Sequence, residues 1–161
     1  MKKACTLILA VFLAWGLQGQ QRSITIAVGN ELVRKGDEVC VPVSVASFQN
    51  MLSTQYTLQW DPAVLQYQGV RNFQLPFLTA DNFGTQLAKE GKLTIVWIDN
   101  SLNGVQRADG TSIYEVCFTA KGKAGSATPL ALTQDPTPFE AVDTREELIQ
   151  INGVGGSVRV Q

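Results

Sequence analysis

Hydrophobic and polar residues alternate through most of this chain. Tyr56, Leu58 and Trp60 alternate with Thr57 and Gln59, which predicts a strand with one face buried and one in contact with water. Asp61-Pro62 stops that strand. Proline has no N–H for a ladder and biases the residue before it toward extended geometry, and an aspartate can cap the following turn. Val64, Leu65 and Tyr67 then resume apolar packing, so the chain leaves one buried strand, turns a corner and enters another.

The same reading holds along the chain. Ile24–Val28 is a short alternating run ending at Gly29-Asn30, and Gly36-Asp37 is a turn into Val39–Val45, where valines occupy every second place. Pro42 falls on the other face of that run and predicts a bulge or an unpaired position there. Between Asn72 and Leu87 the period breaks, and Phe73, Leu75, Phe77, Leu78 and Phe83 are expected to plug one end of the fold. Leu93–Ile98 and Thr111–Ala120 are further strands, the second with Tyr114, Val116 and Phe118 on one face and Ile113, Glu115 and Cys117 on the other. Thr128–Thr133, a pair formed by Phe139–Val142 and Leu148–Ile151, and Ser157–Val160 complete about nine or ten strands. Glu146-Glu147-Leu148 could alternatively form one helical turn. Short strands with turn signals at close intervals predict a single all-β domain, a sandwich or jelly roll. There is no internal repeat, linker or low-complexity segment.

Residues 1–20 carry the marks of a leader. Lys2 and Lys3 precede the apolar run Thr6–Leu17, and Gly16–Gln20 closes it, so export with cleavage near Gly19 or Gln20 is expected; an uncleaved anchor is the alternative. The domain is then residues 21–161, placed outside the cell or in the periplasm. The formal net charge is −1, and losing Lys2 and Lys3 makes it more negative, with no basic stripe left to attract nucleic acid or an anionic membrane. The chain contains no histidine, which removes Ser-His-Asp and Cys-His nucleophiles and every histidine-bearing zinc site. Cys40 and Cys117 remain after the leader is lost. In an oxidising compartment one disulfide is the default, with two packed free thiols as the alternative.

Four segments taken in order, Gly36–Val43 (GDEVCVPV), Leu58–Leu65 (LQWDPAVL), Gly91–Ser101 (GKLTIVWIDNS) and Glu115–Lys121 (EVCFTAK), resemble a cohesin domain over nearly all of residues 23–160. The resemblance implies a nine-stranded β-sandwich with jelly-roll topology that docks a dockerin-like protein module in an extracellular assembly. It places the partner on the outward positions Ser53, Gln55, Thr57 and Gln59 of one strand and Thr94, Val96 and Ile98 of its neighbour, with Asn100 and Ser101 in the loop that follows. Scaffold cohesins often carry acidic or Asn groups where this strand has Ser53 and Gln55. In the competing arrangement the 72–87 connection covers Val96 and Ile98. The resemblance also makes the strands of Cys40 and Cys117 neighbours, so the two cysteines would meet as a cross-strand disulfide.

Asp61, Asp99 and Asp109 are candidates for a glycosidase-like carboxylate pair, but each reads better as a turn residue, so no catalytic role is expected. No calcium loop is present, and neither a metal nor another cofactor is expected. Two alternatives to protein docking remain. A carbohydrate-binding module would need a row of exposed aromatics, whereas Tyr56, Trp60 and Trp97 alternate inward. A structural or adaptor subunit of an exported complex would need neither.

Overall fold

The computed structural model describes residues 22–161. The leader expected at residues 1–20 lies outside the described residues. Among the described residues twelve strands form two packed sheets, where the sequence pattern predicts about nine or ten and the resemblance nine. The five-stranded sheet contains, in spatial order, β11 (Gln150–Val154), β1 (Ser23–Val28), β3 (Glu38–Ala46), β8 (Thr111–Ala120) and β5 (Leu65–Arg71). The seven-stranded sheet runs β2 (Asn30–Val33), β12 (Gly156–Val160), β9 (Ala127–Thr133), β4 (Met51–Gln59), β7 (Lys92–Ile98) and β6 (Phe83–Gly84), with β10 (Glu140–Asp143) pairing to β4 beyond β9.

Apolar alternation closes the sandwich as expected. Ile24, Ile26 and Val28 of β1 and Val41, Val43 and Val45 of β3 face Tyr56 and Leu58 of β4 and Leu93, Ile95 and Trp97 of β7 across one core. The two sheets are also joined by a polar contact, since the hydroxyls of Tyr56 and Tyr114 lie 2.8 Å apart in the middle of that core. Two buried hydroxyls that satisfy each other avoid the penalty either would carry alone.

The Asp61-Pro62 corner carries the chain from one sheet to the other. Asp61 Oδ1 accepts from the N–H of Ala63 at 2.8 Å, and its carbonyl accepts from Val64 and Leu65. Trp60 donates its indole N–H to the Leu65 carbonyl at 3.1 Å and packs edge-on against Phe118. Two of the other sheet changes run side by side. β1 passes into β2 at Gly29, β11 into β12 at Gly155, and both strand pairs are parallel. A Cβ at Gly156 would lie 1.9 Å from the Gly29 carbonyl oxygen, so only glycine allows this approach.

Several local expectations change. β2 is a strand where no element was expected; its only apolar residues, Leu32 and Val33, are adjacent, so no alternation marks it, and only Val33 is buried. Phe139–Val142 and Leu148–Ile151 do not form a hairpin. They share a single bridge at Val142 and Leu148, then part, β10 to β4 and β11 to β1. The helical turn considered at 146–148 is instead a loop capped by the buried Asp143, which accepts from the N–H groups of Arg145 and Glu147. Ile113 is buried, not outward, because it is the extra residue of a bulge: Val43 pairs with Tyr114 and Ser44 with Ser112. Pro42 sits one place beyond the end of the β1 ladder. Gly29 donates to its carbonyl, and the Gly29 carbonyl, which would have taken the N–H that proline lacks, accepts from Ser157 at 3.3 Å.

Cys40 and Cys117 are cross-strand partners in register on β3 and β8, and they are disulfide-bonded. The bond lies on the outer face of the five-stranded sheet and joins residues 77 positions apart. Closing a loop of that size removes about 4 kcal/mol of unfolded-chain entropy.

Candidate partner-binding face

β4 and β7 are antiparallel neighbours, and their outward residues fall in pairs: Ser53 opposite Ile98, Gln55 opposite Val96, Thr57 opposite Thr94, and Gln59 opposite Lys92. Inward, the same strands bury Tyr56, Leu58, Ile95 and Trp97 completely, which fixes the register because a slip by one residue would expose them. The outer face is therefore set by the core beneath it.

Val96 is 41% exposed and Ile98 is 49% exposed. The 72–87 connection runs beside them and leaves them uncovered. Leu75, Leu78 and Phe83 of that connection do enter the core, with Phe83 edge-on to Tyr114, but Phe77 does not. It stands 49% exposed, with its backbone in the left-handed region at φ 61°, where a bulky side chain is rarely found. The indole N–H of Trp97 donates to the Pro76 carbonyl at 2.7 Å and holds this turn in place.

Between Phe77 and β7 lies a shallow groove of about 440 Å³, walled by Asp81, Asn82 and Gly84 on one side and by Thr94, Val96, Ile98 and Asn100 on the other. Asn82 donates its side-chain N–H to the Val96 carbonyl at 2.9 Å, occupying an acceptor on the β7 edge where β6 has ended. A Cβ at Gly84 would lie 2.3 Å from Thr94 Oγ1, so a larger residue there would have to turn that hydroxyl away.

The loop after β7 is organised by Asp99, which is fully buried. Its carboxylate accepts from the N–H of Ser101 at 3.0 Å, the hydroxyl of Ser101 at 2.6 Å and the N–H of Gly104 at 2.9 Å. These donors, the Ser101 hydroxyl foremost, hold its pKa below the usual carboxylate range against the opposing effect of burial.

A cohesin-domain family model matches residues 24–156. The chain belongs to the cohesin family. It is 24% identical over 144 residues to cellulose-binding protein A of Clostridium cellulovorans; the match covers 89% of this chain and 8% of that protein. The fold is similar to a chain of a type I cohesin–dockerin complex from Clostridium thermocellum, with a TM-score of 0.72 at 17% identity, covering 87% of this chain and 100% of that one. It is also similar to a non-cellulosomal cohesin of the archaeon Archaeoglobus fulgidus, with a TM-score of 0.68 at 20% identity, covering 86% and 91% of the two chains.

On this cohesin domain the nine residues expected to meet a partner do not form one uniform surface. Thr94, Val96, Ile98 and Asn100 line the groove together, and Ser53 and Gln55 adjoin them as cross-strand neighbours. Gln59 is exposed beside Lys92, which pairs with Asp135 at 2.5 Å. Ser101 is exposed, but its hydroxyl proton is committed to Asp99. Thr57 is fully buried: the 134–139 segment folds over it, and its hydroxyl donates to the Thr137 carbonyl and accepts from the Thr137 N–H. Period-2 reasoning assigns Thr57 correctly to the outer side but cannot see a loop from 80 positions away lying on top. Phe77, Asp81 and Asn82 belong to the groove and were missed, because an aperiodic stretch gives no sign of which aromatic turns outward.

Asp61, Asp99 and Asp109 each accept from a backbone N–H of a turn or loop, Asp109 from Ser47 at 2.7 Å, in keeping with their reading as turn residues. Tyr56, Trp60, Trp97 and Tyr114 are all at most 4% exposed, which leaves Phe77 as the one aromatic among the described residues that is widely exposed.

Proposed function

We propose that this cohesin domain is a non-catalytic, exported module that docks a dockerin-bearing protein through the outer face of β4 and β7. The observation that carries the reading is the exposed trio Phe77, Val96 and Ile98 standing beside Ser53, Gln55, Thr94 and Asn100, whose side chains make no hydrogen bonds among the described residues. Apolar area ringed by uncommitted donors and acceptors is what a specific protein interface uses. Burying the exposed halves of Val96 and Ile98 would contribute about 1 kcal/mol each.

Relatives support the choice of partner. The family is the cohesin family, and solved chains of this fold occur in cohesin–dockerin complexes. Export is supported by the leader-like residues 1–20. No helix among the described residues is long and apolar enough to cross a membrane. The aromatics that a flat polysaccharide-binding surface would need are turned inward, so a protein partner is the preferred reading.

The test is affinity capture from the native secreted fraction, comparing the unmodified protein with Val96→Arg and identifying retained proteins by mass spectrometry. Proteins carrying a dockerin module should be retained by the first and lost with the second. Equal retention by both would refute this face. Retention of the protein itself on insoluble polysaccharide, with no protein partner, would favour the carbohydrate alternative. Thr57→Arg is unsuitable as a surface probe, because it would displace the 134–139 segment.

A further inference from the structure

A second cleft, of about 530 Å³, opens between the Asp61-Pro62 corner, the start of β5 and the segment that joins β6 to β7, and it shares no lining residue with the groove beside Val96. Its walls include Leu65, Tyr67, Thr85, Ala88, Lys89 and Lys121. Three features set it apart from ordinary surface.

The first is charge. Two ammonium groups border the cleft and no carboxylate does, on a chain with more acidic than basic residues. Neither Lys89 nor Lys121 is in an ion pair among the described residues, whereas Lys92 nearby is paired with Asp135.

The second is uncommitted polarity. The hydroxyls of Tyr67 and Thr85 and the amide of Gln66, which also lines the cleft, make no hydrogen bonds among the described residues. Partial burial pushes the Tyr67 pKa up, so its hydroxyl remains a donor at neutral pH. Beside these groups Pro62 and Ala88 form a small apolar floor over the buried Leu65, and the Tyr67 ring is stacked on Trp60 with centroids 6.3 Å apart.

The third is rigidity. Trp60 donates to the Gly91 carbonyl at 2.9 Å, and a Cβ at Gly91, where φ is +80°, would lie 2.2 Å from the Trp60 oxygen. The N–H of Lys121 donates to the Val64 carbonyl at 2.8 Å. Both lysine-bearing segments are thus tied to the same corner, and the cleft is formed before any ligand arrives.

We infer that this cleft binds a small carboxylate-bearing sugar, a uronic acid residue or short oligouronide. The lysines would meet the carboxylate, Gln66, Thr85 and Tyr67 the ring hydroxyls, and the apolar floor the C–H face. A bare inorganic anion fits less well, because no arginine fork lines the cleft and half of the lining is apolar. Binding of this kind uses charge and hydroxyl contacts in a cleft and does not need the exposed aromatic row of a polysaccharide-binding surface.

Titration of trigalacturonate into the protein, followed calorimetrically and by amide chemical shifts in about 150 mM salt, tests the inference. Saturable binding should appear, with shifts at Gln66, Tyr67, Thr85 and Lys121, and the Lys89→Gln/Lys121→Gln variant should weaken it about tenfold or more. Val96→Arg should leave it unchanged, which separates this site from the partner face. Maltotriose should bind at least tenfold more weakly, and inorganic phosphate should not compete at equal concentration. No saturable binding, binding unaffected by the lysine substitutions, equal affinity for maltotriose, or full competition by phosphate would each overturn the assignment.

Discussion

The outer faces of the two sheets are built from similar strands and finished in opposite ways. On the five-stranded sheet several outward positions around β3 and β8 are bonded to their neighbours. Cys40 is bonded to Cys117, Arg71 bridges to Glu115 at 3.0 Å and Glu38 at 3.7 Å, and Ser44 donates to the Ala27 carbonyl. On the seven-stranded sheet, the stretch of β4 and β7 beside Phe77 has no such closure. Val96 and Ile98 are about half exposed, and the neighbouring side chains of Ser53, Gln55 and Thr94 make no hydrogen bonds among the described residues. Both faces lie over the same buried core. One face is largely tied up within the fold, and the other carries the proposed docking surface.

Substitutions should separate the two faces. The largest effect on stability should come from the closed one: replacing both cysteines, Cys40→Ser with Cys117→Ser, should lower the unfolding free energy by about 4 kcal/mol in denaturant titration while leaving partner affinity unchanged. A free-thiol assay on unfolded, non-reduced protein should find no reactive Cys40 or Cys117. On the open face, Val96→Arg should weaken partner binding by about a hundredfold, or about 2.7 kcal/mol, and leave the thermal midpoint unaltered.

The β7 loop links fold and face, so its effect should be intermediate and should appear in both measurements. Asp99→Asn puts an amide donor against the Ser101 or Gly104 donors and should cost about 1–3 kcal/mol of stability, with a smaller loss of affinity because Asn100 shifts. Its pH signature has a definite sign. The folded-state pKa of Asp99 lies below the unfolded value, so its stabilisation is complete above about pH 4 and is lost as pH falls through the lowered folded value. The thermal midpoint of the unmodified protein should therefore fall more steeply with acid than that of Asp99→Asn. Asp143 has the same sign: burial alone would raise its pKa, but the Arg145 and Glu147 N–H groups and the Arg145 and Arg22 guanidinium groups outweigh it. The smallest effect should be that of Gln59→Ala at the margin of the open face, a change in affinity of about twofold or less.

How much of this was legible in the sequence follows from what a periodic pattern encodes. Alternation reports which side of a strand faces the core, so the inward set Tyr56, Leu58, Trp60 and Trp97 and the outward pair Val96 and Ile98 were readable. The register of Cys40 with Cys117 came through the family resemblance, which names the neighbouring strands. Alternation does not report what lies over an outward residue, and Thr57 beneath Thr137 was therefore misjudged as accessible. Nor does it survive an extra residue, which is why Ile113 was placed on the wrong side of its bulge. Strands too short to show alternation, β2 and the two-residue β6, leave no pattern to find. Phe77 shows the same limit, since burial of Phe83 and exposure of Phe77 are decided by the turn between them.

The most direct test of an open and a closed face is residue-by-residue amide shift mapping during titration with a purified dockerin module that the capture experiment identifies. The account predicts perturbations along Ser53–Gln55, Thr94–Ile98, Asn100 and Phe77–Asn82, and none at Glu38–Pro42 or Glu115–Thr119. Perturbations centred on the disulfide-bearing β3 and β8, with β4 and β7 silent, would contradict it.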